Sequence, residues 1–90
     1  MKQNDEISQL AMEFIRRDFA ERKKKTDSLF RNRSSLAVAM GIKPSAMKAR
    51  WIREKYEPTV QFIYTYAMTV GTDPELFMAD IARFIKENMK

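Results

Sequence analysis

Cysteine and histidine are both absent from this chain. Without cysteine there is no disulfide framework, no thiolate metal site and no thiol nucleophile; without histidine the commonest general base and metal ligand are gone. Carboxylates, lysine, serine and tyrosine remain, but the acidic pairs Asp5-Glu6 and Glu54 with Glu57 have no partner base near them in sequence. An enzyme is therefore not expected, and neither is a metal or other cofactor. The two glycines and three prolines are too few for a turn-rich β architecture. No apolar run is long enough to span a bilayer and none at the N-terminus reads as a signal segment, so the expectation is a cytoplasmic location with no membrane partner.

What is present is a chain of 90 residues, 44 % hydrophobic and 32 % charged, rich in Ala, Met, Glu, Lys and Arg. That length suits a single domain, residues 1–90, with a modest packed core, and those residue types favour helix over strand. The expected fold class is all-α, a compact bundle of about five helices.

The net charge of +5 is local. Residues 21–57 hold eleven basic and four acidic side chains, a net +7, while the segments before and after each carry −1. A patch of one sign suggests a polyanionic partner, because phosphate contacts supply most of the non-specific affinity for nucleic acid.

Apolar periodicity places a long N-terminal helix over about residues 5–25, with Asn4 or Asp5 as cap and Ile7, Leu10, Ala11, Phe14, Ile15 and Phe19 as its stripe. The run Arg22-Lys23-Lys24-Lys25 closes it and reads either as a solvated helix end or as a contact to a nucleic-acid backbone. Leu29-Phe30 anchors the connection, and residues 28–33 are left open between loop and helical turn. A helix capped by Ser34 or Ser35 then runs to about Met40 and ends at Gly41. Pro44 opens another, extending to about Tyr56, with Met47, Trp51 and the stem of Arg50 on one side and Ser45, Lys48, Ala49, Ile52, Arg53 and Tyr56 on the opposite, outward side. Together these make a helix-turn-helix over about residues 34–56. Packing helices follow over about 58–70, with Val60, Phe62, Ile63, Tyr66, Ala67 and Val70, and about 74–88, with Leu76, Phe77, Ile81, Phe84 and Ile85.

Two blocks carry a resemblance: Leu36-Ala37-x-x-x-Gly41-Ile42, and, after Pro58, the stretch Ala67-Met68-Thr69-Val70-Gly71-Thr72-Asp73-Pro74-Glu75-Leu76-Phe77. In this order they resemble the phage-repressor-like (Xre/Cro/CI-type) helix-turn-helix family over roughly residues 34–77. Arg50 stands where that family usually has an apolar residue, and Trp51 where it has Glu. The resemblance implies a lambda-repressor-like bundle in a phage or bacterial regulator that binds an operator in double-stranded DNA as a homodimer and acts as a repressor of transcription. It places Lys43, Ser45, Lys48, Ala49, Ile52 and Arg53 toward the major groove, with Lys48 or Arg53 pairing guanine acceptors and Ala49 or Ile52 meeting a thymine methyl. Arg31, Arg33, Ser35, Arg50 and Lys55 would hold phosphates. The competing expectation is a protein-interaction module, an antitoxin-like or adaptor subunit gripping a partner through its first or last helix, and such a subunit can also repress its own operon.

Overall fold

In a computed structural model of the protein, which describes the backbone of residues 2–24, 32–52 and 56–89 and the side chains of those from Glu6 onward, the chain forms five helices. They are α1 (Lys2–Lys23), α2 (Arg33–Ala39), α3 (Pro44–Ile52), α4 (Val60–Thr69) and α5 (Pro74–Asn88). No strand occurs among the described residues, so the all-α bundle expected from composition is the observed class. Among those residues no helix is long and apolar enough to cross a membrane.

The core is one cluster drawn from every helix, with Met12, Ile15, Leu36, Met47 and Tyr66 sealed from solvent at its centre. Each such side chain contributes about 1.5–3 kcal/mol by leaving water. α5 lies against both α1 and α4, and α2 against α3. Phe14 of α1 meets Phe77 and Phe84 of α5 at 5.5 and 5.4 Å between ring centroids, in edge-on and tilted arrangements that suit the ring quadrupoles. The apolar stripes of the first and last helices therefore cover one another.

Two turns share one solution. α2 ends on Gly41 (φ 76°), whose N–H donates to the Val38 carbonyl while that of Ile42 donates to Ala37; α4 ends on Gly71 (φ 85°), with Gly71 donating to Met68 and Thr72 to Ala67. This double bond pattern uses the carbonyls left over at a helix end, and its left-handed residue is open to glycine at no steric cost. The N-termini are capped by side chains: Asn32 accepts from the Ser35 N–H, Thr59 from Phe62, and Asp73 from Glu75 and Leu76.

Several boundaries and faces differ from expectation. α1 starts at Lys2, which puts Asn4 and Asp5 inside the helix, and it ends at Lys23. α2 is capped by Asn32 and not by Ser34 or Ser35; Ser35 is the third helical residue of a reciprocal capping box. α4 starts after Pro58, because Thr59 supplies the capping hydroxyl and proline is left outside the first turn. On α1 the buried seam runs through Ser8, Ala11, Met12, Ile15 and Phe19, which leaves Ile7 exposed and Leu10 half-buried. Val60 and Leu76, expected to pack, are exposed. The connection containing Leu29-Phe30 lies outside the described residues.

Candidate nucleic-acid interface

The α2–α3 unit is assembled from its buried side outward. Leu36 and Ala37 of α2 and Met47 of α3 are fully buried, so the two short helices are fixed to each other and to the core by small and flexible side chains at their crossing. Residues 40–43 form the turn between them, and the Lys43 carbonyl accepts the Met47 N–H at 2.9 Å to start α3. Two side chains of α1 then hold the far end of α3. Phe19 meets the Trp51 ring edge-on at 5.7 Å, and Arg16 donates from its guanidinium to the Trp51 carbonyl at 2.9 Å. Carbonyls near a helix C-terminus lack helical partners, so a cation donating there satisfies one and complements the dipole.

With Met47, Arg50 and Trp51 turned inward, the opposite face of α3 is presented to solvent. Ser45, Lys48, Ala49 and Ile52, at spacings i, i+3, i+4 and i+7, are all exposed, Ile52 to 65 %. Lys43 is exposed in the preceding turn. The chain from residue 28 to residue 53 contains six basic residues and no acidic one. The exposed face of α3, with Lys43 before it, is thus a cationic surface on which a small and a branched apolar side chain follow Lys48.

Other expected members have different roles. Arg50 is half-buried, its guanidinium lying over the Tyr56 and Phe62 rings at 5.5 and 5.8 Å from their centroids. Tyr56, expected on the outward side, is instead half-buried and packs edge-on against Phe62 at 5.6 Å. Burial raises its phenol above the usual pKa, the nearby Arg50 charge opposing that shift. Stacked on two rings, the flat Arg50 guanidinium fills an apolar role. Ser35 commits its hydroxyl to the cap, donating to the Asn32 carbonyl at 2.8 Å and accepting from the Asn32 N–H at 3.3 Å. Arg33 opens α2, half-buried. Arg31, Arg53 and Lys55 lie outside the described residues.

The basic run at the end of α1, whose Lys25 lies outside the described residues, divides by role. Arg22 donates to Asp18 at 2.6 Å and to the Val70 carbonyl at 3.4 Å, joining α1 to the end of α4; Lys23 lies over the Phe19 ring; Lys24 pairs with Glu21 at the surface. Asp18 also accepts the Tyr66 hydroxyl at 2.7 Å. The contacts by which Arg16 and Arg22 position the α2–α3 unit and α4 escaped the sequence reading, because the carbonyls they reach, of Trp51 and Val70, lie far along the chain. The one available signal was the place of the two arginines at the border of the apolar stripe of α1. Comparisons with protein-family models, curated proteins and solved structures return no match to this chain.

Proposed function

We propose that the chain is a sequence-specific regulator of transcription that binds operator DNA with α3 in the major groove and represses by occupying the site. The observation that carries this reading is the exposed face of α3: Ser45, Lys48, Ala49 and Ile52 along one side of a helix whose other side is fixed by Met47, Trp51 and Arg16, in a stretch free of acidic residues. A helix of this diameter fits the major groove, where a lysine recognises guanine acceptors and apolar side chains recognise the thymine methyl. Lys43 and Arg53 join this groove-facing set, while Arg33, with Arg31 and Lys55, supplies the phosphate contacts that set register without reading sequence. A homodimer would read two half-sites about one helical turn, roughly 10 bp, apart.

The protein-interaction alternative drew on the stripes of the first and last helices, and those stripes are packed against each other. The deciding experiment is selection of bound sequences from a random duplex pool at low salt. A recurring palindromic site is the expected result; absence of any duplex binding at low salt would overturn the proposal.

A further inference from the structure

The solvent-facing side of α4 is unlike that of any other long helix here. α1 and α5 meet water with charged pairs: Arg17 with Glu13, Lys24 with Glu21, and Arg83 with Asp80. Residues 58–72, which contain all of α4, hold no charged side chain, in a chain that is 32 % charged. On this helix Val60, Tyr64 and Met68 follow at i, i+4 and i+8 and are 70 %, 46 % and 61 % exposed. Their neighbours at the surface are Thr59 and Gln61. The result is an uncharged, mainly apolar stripe a little over two turns long.

We infer that this stripe is the surface on which a second copy of the chain docks. A two-fold interface sets each residue near its own counterpart, so any charge close to the axis meets the same charge. For a protein of net charge +5 that requirement is severe, and among its long helices the exposed side of α4 satisfies it. A tyrosine flanked by two flexible or branched apolar residues has the composition of an interface centre, which is depleted in charge and enriched in aromatic and methionine side chains. The Gln61 and Thr65 side of α4 shares a hollow with Gly41, Ile42 and Arg50, so the docking surface borders the α2–α3 unit and pairing carries two copies of it in one particle. The inference goes beyond the DNA reading and does not depend on it. One helix face is small against the roughly 800 Å² per partner of an ordinary stable interface, so the self-association is weak, with a dissociation constant on the order of 10⁻⁴ M in the absence of DNA.

Sedimentation equilibrium of the full chain without nucleic acid, from about 10 µM to about 1 mM, tests it. The expected result is a concentration-dependent rise from 10.6 kDa toward twice that mass. Tyr64→Lys and Tyr64→Glu each weaken association at least tenfold, and an equimolar mixture of the two restores it, because opposite charges then face each other at the axis. Should the Tyr64 variants lose helicity by circular dichroism, Met68→Lys, at a more exposed position, gives the same weakening. A chain that stays monomeric over the whole range, or folded charged variants that associate like the parent, overturns the inference. Self-association without DNA binding would break the operator reading and leave this one standing.

Discussion

The outer faces of α3 and α4 both display apolar side chains to solvent, Ile52 on one and Val60, Tyr64 and Met68 on the other. What separates them is the company those side chains keep. Ile52 stands one turn beyond Lys48 in a stretch without an acidic residue, whereas the α4 side chains stand in fifteen residues without a charge of either sign. An exposed apolar group among cations suits a partner that is anionic outside and carries apolar methyl groups within, as a duplex does; the same group without charge suits a surface like itself. Hydrophobic exposure alone does not name a partner, and the surrounding charge does.

The largest expected effect that would sharpen this contrast is at Lys48. Reversing its charge, Lys48→Glu, removes a base or phosphate contact and places an anion against DNA, so duplex affinity at low salt falls about a hundredfold, near 2.7 kcal/mol. Titration of the selected site by fluorescence anisotropy measures it. Met68→Glu, an equally exposed change on the other face, leaves affinity for an isolated half-site within about twofold. Equal losses at the two positions would erase the distinction between the surfaces.

A smaller effect separates the two glycine turns, which are alike in bonding and differ in what they hold. Placing alanine in the left-handed region costs about 1–2 kcal/mol, offset by about 0.4–1 kcal/mol from the less flexible unfolded chain. Nothing lies within 4 Å of a β-carbon built at either glycine, so backbone strain is the whole penalty. Gly41→Ala and Gly71→Ala therefore each lower stability by about 1 kcal/mol in urea unfolding. Gly41→Ala also weakens site binding, because residues 40–43 set α3 against α2, and Gly71→Ala does not. Matching losses of binding would mean that α3 is oriented by the fold as a whole and not by its own turn.

The bundle was legible in sequence because its helices are bounded by strong local signals: Gly41 and Gly71 as stops, Pro44 and Pro74 as first residues, Asp73 as a cap. The two faces of α3 were equally legible, since Met47 and Trp51 alternate with Lys48, Ala49 and Ile52 at helical spacing. Rotation about the helix axis was less so. In α1 the adjacent apolar pairs Ala11-Met12 and Phe14-Ile15 make two stripes almost equally good, and it takes the packed bundle to decide that Met12 is inside and Ile7 exposed. α4 is apolar on nearly every side, which reads as complete burial and conceals an uncovered face at Val60, Tyr64 and Met68. The helical wheel turns the stem of Arg50 inward with Met47 and Trp51, but the rings that hold its guanidinium come from Tyr56 and Phe62, beyond the reach of that wheel.

The smallest effect isolates the scaffold beneath both surfaces. Tyr66 is fully buried and donates to Asp18, which also accepts from Arg22; burial first, and then the bond to Asp18, raise its pKa far above the ordinary tyrosine value, with Arg22 opposing only in part. A phenol whose folded pKa is raised keeps its proton in the native state after the unfolded chain has lost it. Its contribution to stability is therefore complete below the unfolded value near pH 10 and declines as pH rises beyond it, by about 1.4 kcal/mol per pH unit. Tyr66→Phe costs about 1 kcal/mol at pH 7, through the lost hydrogen bond, and removes this alkaline decline. Tyr56 is also raised by burial, so the quantity that matters is the difference in slope between parent and variant in urea unfolding from pH 8 to 11. With the α3 and α4 surfaces untouched, both DNA affinity and self-association of the variant stay at parent level at pH 7. An alkaline slope unchanged by the substitution would mean that Tyr66 does not stay buried and protonated in the native state as the unfolded chain loses its proton.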